Sequence, residues 1–227
     1  MTETLILAAI LIPCLVVAIV FHEVAHGWTA LALGDPTAKE QRRLSLNPIR
    51  HVDPVGTVIV PGALALFGGP VFGWAKPVPV RQDRLDNPRY GMMAVAAAGP
   101  ASNLVMALIA AVALGLIAAS LTAPPGAVLT GVLTGLNFFI LSKIFLALFN
   151  LLPIPPFDGS HIVQGLLPRS MAAQYAKLQQ VGMFLLIALI AITWAFPDSG
   201  VIENVVLPPV EWLRDKYMLL ALWVAGG

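Results

Sequence analysis

The sequence predicts an all-helical polytopic membrane protein with about four transmembrane helices, and three observations lead to that prediction. Of the 227 residues, 58% are hydrophobic and 11% are charged, whereas soluble domains usually have about 25% charged residues. The mean hydropathy is +0.85. Four apolar runs are long enough to cross the hydrocarbon, which takes about 20 helical residues. We predict spans at about residues 4–33, 92–121, 128–152 and 175–196.

Charge and cysteine content exclude several other classes. The formal net charge is +1, so no nucleic-acid partner is expected. The single cysteine, Cys14, cannot form an internal disulfide and lies in the first apolar run, where we expect a packing role. The first run lacks a basic leader and a cleavage site, so we expect it to be retained. We therefore expect residues 1–227 to form a single membrane-embedded domain.

The first span carries a short polar motif. Between Glu3 and Asp35, Glu23 is the only formally charged residue, and it lies between His22 and His26. In a helix these two histidines are one turn apart and share a face. Two imidazoles about 6 Å apart can bind one metal ion, and the adjacent glutamate can reach a water in the open coordination position. This is the H-E-x-x-H arrangement of zinc hydrolases.

An alternative interpretation of this motif is a pair of core histidines with a buried glutamate bonded to another polar group. Chance matches to a five-residue pattern also occur. Placing one Glu and two His inside a membrane-spanning helix, however, costs several kcal/mol on insertion scales. Such residues need a compensating partner, and a divalent cation is the most direct one. The sequence therefore favours a metal site.

The stretch between the first two spans is apolar in part but interrupted by Gly and Pro. We predict a re-entrant or interfacial loop for residues 55–73, because their unbroken apolar pieces are too short to span the membrane. Such backbone is tolerated at membrane depth only where protein or water satisfies its polar groups. A polar segment rich in basic residues precedes this loop, and a second one begins at Arg81.

A short β segment is predicted at residues 76–80, as a docking strand for unwound substrate. Two alternating prolines remove N–H donors from one edge, while Lys76, Val78 and Val80 keep donors on the other edge. A strand with one such edge can accept one added peptide. The alternative, equally open, is that this edge pairs internally with residues near 81–85.

The second half of the chain contains the remaining spans. No charged residue occurs from Tyr90 to Ser142. A Pro-Pro-Gly turn at residues 124–126 separates the second span from the third. The tail at residues 203–224 mixes apolar and charged residues, so we predict an amphipathic helix at the membrane interface.

The basic residues predict the orientation of the chain. The loops at residues 34–89 and 153–177 carry ten of the thirteen Lys and Arg residues. The positive-inside rule places these loops in the cytoplasm. His22 is about 11 residues from the cytoplasmic end of its helix, which is roughly 16 Å deep at about 1.5 Å per residue. We therefore expect a multi-pass protein of a prokaryotic cytoplasmic membrane, with its active site toward the cytoplasmic side.

A third metal ligand is needed, because catalytic zinc usually has three protein ligands and a water. Between Arg89 and Arg169 the only formally charged residues are Lys143 and Asp158. The prolines before Asp158 force an extended segment that can carry this carboxylate toward a partner. An ordinary Asp-Gly turn is the alternative. The position of Asp158 on the same membrane side as the histidines makes it the favoured ligand.

Two further segments accompany the motif from His22 to His26. Residues 150–159 read N-L-L-P-I-P-P-F-D-G, and residues 99–103 read G-P-A-S-N. With these, the chain resembles the site-2 protease family of intramembrane zinc metalloproteases, whose patterns include H-E-x-x-H, N-x-x-P-x-P-x-L-D-G and G-P-x-x-N. Phe157 stands where the family usually has Leu, which is a mild departure.

The resemblance covers about residues 5–190. Residues 46–48, 51–54 and 73–77 are similar to a compact bacterial and archaeal subgroup of this family. The separation of Asn103 from Asn150 leaves no room for the PDZ domain that some members contain. Substrate selection through a PDZ domain is therefore not expected.

The resemblance implies functional roles for particular residues. It implies one zinc ion per chain, held by three ligands: His22, His26 and Asp158. It also implies that Glu23 acts as the general base, and that Asn103 and Asn150 orient substrate or water. Two other histidines, His51 and His161, are expected to support or border the site rather than to bind the metal.

The family pattern does not explain Lys143, which lies inside a span. Its amine is expected to reach the interface or to pair with a carboxylate or a backbone carbonyl. The implied function is hydrolysis of a peptide bond in or near a transmembrane segment of another protein, as in regulated proteolysis. The expected partners are a transmembrane substrate and membrane lipid. The alternatives are a metal-binding transporter, for which we find no second copy of the histidine motif, and a proteolytically silent zinc-binding scaffold.

Overall fold

The computed structural model describes residues 2–66, 73–196, 200 and 202–227. Within these ranges the chain is 76% helical and contains no strand. The α-helices are α1 (Thr2–Ala32), α2 (Thr37–Glu40), α3 (Val60–Leu66), α4 (Pro88–Ala119), α5 (Ala127–Asn150), α6 (Asp158–Leu166), α7 (Arg169–Gln179), α8 (Gly182–Ala195) and α9 (Leu207–Val224).

Three of these helices, α1, α4 and α5, are long and apolar enough to cross a membrane. Helices α7 and α8 are bent by 61° at the break between them, and they make a fourth crossing only if the pair is one span. An all-helical membrane architecture is therefore confirmed. The predicted number of about four spans is reached only when the bent pair is counted as one.

The predicted short β segment is not formed. Residues 73–80 have no regular secondary structure, although they run close to α1. The Lys76 N–H donates to the carbonyl of His51 at 2.9 Å, and the Val78 N–H donates to the Glu23 carboxylate at 2.7 Å. Two of the three donors that the sequence assigned to this edge therefore bind groups on other elements instead of a neighbouring strand, and no sheet is formed.

The predicted re-entrant loop at residues 55–73 is described in part. It begins with a π-helical turn, Pro54–Ile59, which continues into α3. The Asp53 side chain accepts hydrogen bonds from the N–H groups of Val55 and Gly56 at 2.9 and 2.8 Å and so caps this turn. Residues 67–72 lie outside the described part of the chain. Re-entry into the membrane stays a prediction.

Helix α4 lies at the centre of the fold and packs against α1, α5, α6 and α9. Asn87 caps its start by accepting a hydrogen bond from the Tyr90 N–H at 3.2 Å. The packed faces of α4 consist largely of small residues, which allow neighbouring helices to approach closely. Its buried small residues are Gly91, Ala96, Gly99, Ala107, Ala110, Ala111 and Gly115.

The last helix, α9, completes the apolar core that α4 and α5 form. Its buried residues Val210 and Ala221 pack in the same cluster as Ile140 and Ile144 of α5. The Tyr217 hydroxyl also donates to the Leu104 carbonyl at 3.3 Å. One side of α9 is therefore held against the bundle. Its location at a membrane interface stays a prediction.

Candidate metal centre

Helix α1 presents His22 and His26 on its inner face, as the four-residue spacing requires. Both side chains are buried, at 5% and 8% exposure. Their Nε2 atoms lie 3.0 Å apart. Gly99 of α4 packs directly on the two rings, because a Cβ atom there would lie 2.5 Å from His26 and 2.6 Å from His22. A glycine at this position gives the two imidazoles the space that they occupy.

Asp158, the first residue of α6, lies next to these histidines although it is far from them in the sequence. Its Oδ2 atom lies 3.0 Å from His22 Nε2 and 3.3 Å from His26 Nε2. Among the described residues, this buried oxygen has no hydrogen-bond partner of acceptable geometry. One carboxylate oxygen and two imidazole nitrogens therefore converge on a common point.

This arrangement fits a zinc ion. Ligands about 2.0 to 2.1 Å from a tetrahedral zinc ion are separated from one another by about 3.3 Å. The three separations between His22, His26 and Asp158 are 3.0, 3.0 and 3.3 Å. Within the part of the chain that the structure describes, this is the only group of three such side chains close enough to share an ion.

Hydrogen bonds on the far side of the rings orient the two histidines. His26 Nδ1 lies 2.7 Å from the carbonyl of Val95. Because a carbonyl only accepts, Nδ1 carries the proton and Nε2 keeps its lone pair. His22 Nδ1 lies 3.1 Å from the amide of Asn103, which is completely buried on α4. Asn103 therefore lies behind His22 and contacts the ring from the side away from Asp158.

Lys143 of α5 completes this buried polar group through a contact with Asn103 that was not predicted from the sequence. The side chain is fully buried, and its Nζ donates to Asn103 Oδ1 at 3.2 Å. Nζ also lies 3.1 Å from the sulfur of Met106 and 4.9 Å from the ring centre of Phe139. The partner is thus an amide, a thioether and an aromatic face, not the carboxylate or carbonyl that the sequence suggested.

Glu23 lies beside the two histidines and, with them, lines a cavity at the metal centre. Its Oε2 atom accepts the Val78 N–H at 2.7 Å. The segment that carries Val78 is fixed on both sides of this contact. Arg43 donates to the Lys76 carbonyl at 2.7 Å, and the Arg81 N–H donates to the buried carboxylate of Asp35 at 2.6 Å.

Asp35 and Arg43 were not singled out from the sequence as part of the site. The sequence signal for Asp35 is a lone carboxylate directly after the long apolar run of the first span. His51 holds the start of the same segment through its carbonyl, while its ring Nε2 contacts the Ser45 carbonyl at 2.7 Å. His51 therefore contacts the segment and not the three converging side chains.

The three converging side chains line a cavity of about 330 Å³. Val80, Asn150 and His161 line this cavity, whereas Asn103 and Lys76 do not. The Asn150 amide donates to the Leu146 carbonyl of its own helix at 2.9 Å. The residues that line the cavity are His22, Glu23, His26, Pro77, Val78, Val80, Met92, Val95, Ala96, Asn150, Pro156, Asp158 and His161.

The protonation of the groups outside the spans follows from their neighbours. Burial alone would raise the pKa of the Asp158 carboxyl, but the adjacent imidazoles of His22 and His26 lower it to about 2. Asp158 is therefore ionised at neutral pH, as a metal ligand must be. Burial lowers the pKa of His161 below its usual range. His161 Nδ1 lies 3.3 Å from the Gln179 amide.

Comparison with known proteins supplies the family. A profile of peptidase family M50 matches residues 10–192. Relatives that bear the name "Putative zinc metalloprotease" include YwhC of Bacillus subtilis (strain 168), which is 38% identical over 84% of this chain and 86% of its own length. They also include Rip2 of Mycolicibacterium smegmatis (strain ATCC 700084 / mc(2)155), 30% identical over 79% of this chain and 70% of its own. No solved structure matches the chain.

The profile, the relatives and the apolar helices agree with one another and with the resemblance noted from the sequence. The predicted zinc cofactor is confirmed, because the chain matches peptidase family M50 and its relatives are named as zinc metalloproteases. The protein is an integral membrane zinc metalloprotease without a PDZ domain in the matched region. The chain belongs to peptidase family M50, the site-2 protease family.

Proposed function

We propose that this protein is an intramembrane protease that hydrolyses a peptide bond in or near a transmembrane segment of another membrane protein. The observation that carries this proposal is the convergence of Asp158 with His22 and His26, two residues that lie beside Glu23 on α1. Helix α1 is apolar enough to span the membrane. His22 lies ten residues before the end of α1 at Ala32, which corresponds to roughly 15 Å along the helix.

The metal-binding role is proposed for three side chains: His22, His26 and Asp158. Zinc held by these ligands would polarise the scissile carbonyl and lower the pKa of a water molecule toward about 7. The contacts of His26 with Val95 and of His22 with Asn103 set the two ring orientations. Partners of this kind typically contribute about 10- to 100-fold to metal affinity.

Glu23 is proposed as the general base. It lines the cavity next to two of the proposed ligands and is not one of the three converging groups. It would take the proton of the attacking water and deliver it to the leaving amine. The hydrogen bond from the Val78 N–H holds one carboxylate oxygen, which leaves the other oxygen for the water.

The substrate must enter in an extended form, because the carbonyls of an intact helix are already hydrogen-bonded along its axis. We propose that residues 76–80 and Asn150 border the path of this extended chain. Val80 and Asn150 line the cavity. The basic loops at residues 34–89 and 153–177 support a cytoplasmic side for the site. We further propose a prokaryotic cytoplasmic membrane as its location and regulated proteolysis as its process.

The test compares the purified wild-type protein with its Glu23→Gln variant in detergent, against model transmembrane peptides, with and without a chelator. We expect the variant to retain zinc and to lose cleavage by about 100- to 10,000-fold. Near-wild-type turnover in a zinc-loaded Glu23→Gln protein would reject the proposed base. Zinc content without any cleavage by the wild type would instead indicate a transporter or a silent scaffold.

A further inference from the structure

A second cavity, of about 180 Å³, adjoins the one at the metal centre. Met92 and His161 line both cavities, so the two are neighbours that share a wall. The second cavity lies between the start of α4, the end of α6 and the first turn of α7. The polar side chains that line it, besides His161, belong to Gln82, Arg89, Gln164 and Arg169.

The charges around this second cavity all have one sign. Two guanidinium groups line it, those of Arg89 and Arg169, and none of the described residues that line it is acidic. Arg89 is held in place because Nε donates to the Gly165 carbonyl at 3.0 Å and Nη2 donates to the carbonyl of Leu167. The cavity is therefore a positively charged recess beside the catalytic one.

The guanidinium group of Arg169 is available to a ligand. The residue is exposed, and the structure shows no hydrogen bond or ion pair from its side chain to any described residue. It is also the first residue of α7, a helix whose start has no side-chain cap. The N–H groups of that first turn add partial positive charge on the same side of the cavity.

Helix α6 connects the metal centre to the second cavity, so the distance between them can be measured along this helix. Gln164 lies six residues, or roughly 9 Å, beyond Asp158 on this helix. An extended peptide covers about 3.3 Å per residue. A substrate that is extended at the metal centre therefore reaches the second cavity about three residues from the scissile bond.

We propose that this cavity, hereafter the anion subsite, binds the carboxylate of a Glu or Asp side chain about three residues from the scissile bond. This inference rests on the proposed proteolytic function and adds a substrate preference to it. Guanidinium groups form charge-assisted hydrogen bonds with carboxylates, often in pairs. The shared wall with the catalytic cavity favours a group on the substrate over a lipid headgroup, which would have no reason to lie beside the scissile bond.

The experiment uses model transmembrane peptides with a mapped cut site, into which a single Glu or Gln is placed at each position on both sides of that site. Cleavage is measured with the wild-type protein in detergent. Binding is measured separately with the Glu23→Gln protein, so that affinity is observed without turnover. We expect Glu to lower KM and Kd about 3- to 10-fold relative to Gln, at one position about three residues from the cut.

Two charge-reversal variants identify the residue responsible. Arg169→Glu should abolish the preference for Glu over Gln, because the new carboxylate offsets the charge of the remaining Arg89 guanidinium. Lys177→Glu is the matched control, because Lys177 is an exposed cation on the same helix but does not line the cavity. It should keep the preference for Glu.

Several results would overturn the inference. One is equal binding of Glu and Gln peptides at every position; another is an unchanged preference in Arg169→Glu. A third is stimulation by added phosphatidylglycerol that is equal for Glu and Gln peptides and lost in Arg169→Glu, which would assign the cavity to lipid phosphate. Selective binding of Glu peptides without cleavage by the wild type would leave the subsite standing and reject the proteolytic function instead.

Discussion

Asp158 has the least compensated polar atom of the centre. Its Oδ2 is buried with no hydrogen bond of acceptable geometry among the described residues, and its nearest polar neighbours are the two imidazole nitrogens at 3.0 and 3.3 Å. A buried carboxylate without compensation is costly, and a cation at the point of convergence would remove that cost. The centre is therefore expected to depend on this one carboxylate for its affinity.

We predict that Asp158→Ala lowers zinc affinity by at least about 10- to 100-fold. Losing a residue that only supports a metal ligand typically has an effect of this size, and losing a ligand should cost no less. Zinc content is measured by elemental analysis of the folded protein after dialysis against a weak chelator. Asp215→Ala, which removes an exposed carboxylate on α9, is the control and should keep its zinc. Full zinc content in folded Asp158→Ala would point to another third ligand, and His161, which lines the cavity, would be tested next.

Gly99 is the second residue on which the centre depends, through shape instead of charge. A Cβ atom at this position would overlap the rings of both His26 and His22. We predict that Gly99→Ala lowers stability by about 1 to 3 kcal/mol, the usual cost of overpacking, and reduces zinc content. Thermal unfolding and elemental analysis measure the two effects.

Gly131→Ala is the matched control for Gly99→Ala. Gly131 is also helical, on α5, but apart from the backbone of its own helix no atom of a described residue lies within 4 Å of the place its Cβ would occupy. This control should keep its zinc and its stability. If Gly99→Ala behaves like Gly131→Ala, the close packing of α4 on the histidines is not required for the site.

At the level of elements, residues 76–80 act as a support for Glu23 as well as a candidate docking segment. The Val78 N–H already binds the Glu23 carboxylate, so Val78→Pro would disturb the proposed base directly. The Val80 N–H, by contrast, has no hydrogen-bond partner among the described residues and Val80 lines the cavity. Val80 is therefore the position at which docking can be tested separately.

We predict that Val80→Pro raises KM for an extended substrate about 2- to 10-fold, the equivalent of one hydrogen bond. Val80→Ala, which keeps the N–H, is the control and should leave KM close to that of the wild type. Zinc content and thermal stability should stay close to wild type in both variants. An unchanged KM in Val80→Pro would reject docking at this donor.

For the whole molecule, orientation in the membrane is the property that the charges predict. The turn between α4 and α5 carries no Lys or Arg, whereas the loop at residues 34–89 carries eight. The positive-inside rule places the loop in the cytoplasm and the turn outside. The side of the membrane that a position faces can be measured with a single introduced cysteine, in a protein whose native Cys14 is replaced by Ser.

We predict that a membrane-impermeant thiol reagent labels Gly126→Cys in intact cells and Gln41→Cys only in inverted membrane vesicles. Both positions are exposed in the structure. The Cys14→Ser protein without a new cysteine is the control for background labelling. Labelling of Gln41→Cys in intact cells would place the site on the opposite side of the membrane from our proposal.

The sequence alone determined the class of the protein and the first half of its candidate site. Composition indicates a membrane protein because burial in hydrocarbon excludes most charges. The spacing of His22, Glu23 and His26 is sufficient to place both imidazoles on one face, because helical periodicity is a local property of the chain. The motif around Asp158 indicated a partner for them but not where its carboxylate would lie.

Only the tertiary structure decided how distant segments meet. The packing of α4 on α1 brings Gly99 and Asn103 against the histidines, and α5 brings Lys143 against Asn103. The predicted β segment failed for a related reason: two of its three expected donors, the N–H groups of Lys76 and Val78, are bound by the His51 carbonyl and by Glu23. Such contacts join residues far apart in the chain, and they follow from helix packing, which no local pattern of residues encodes.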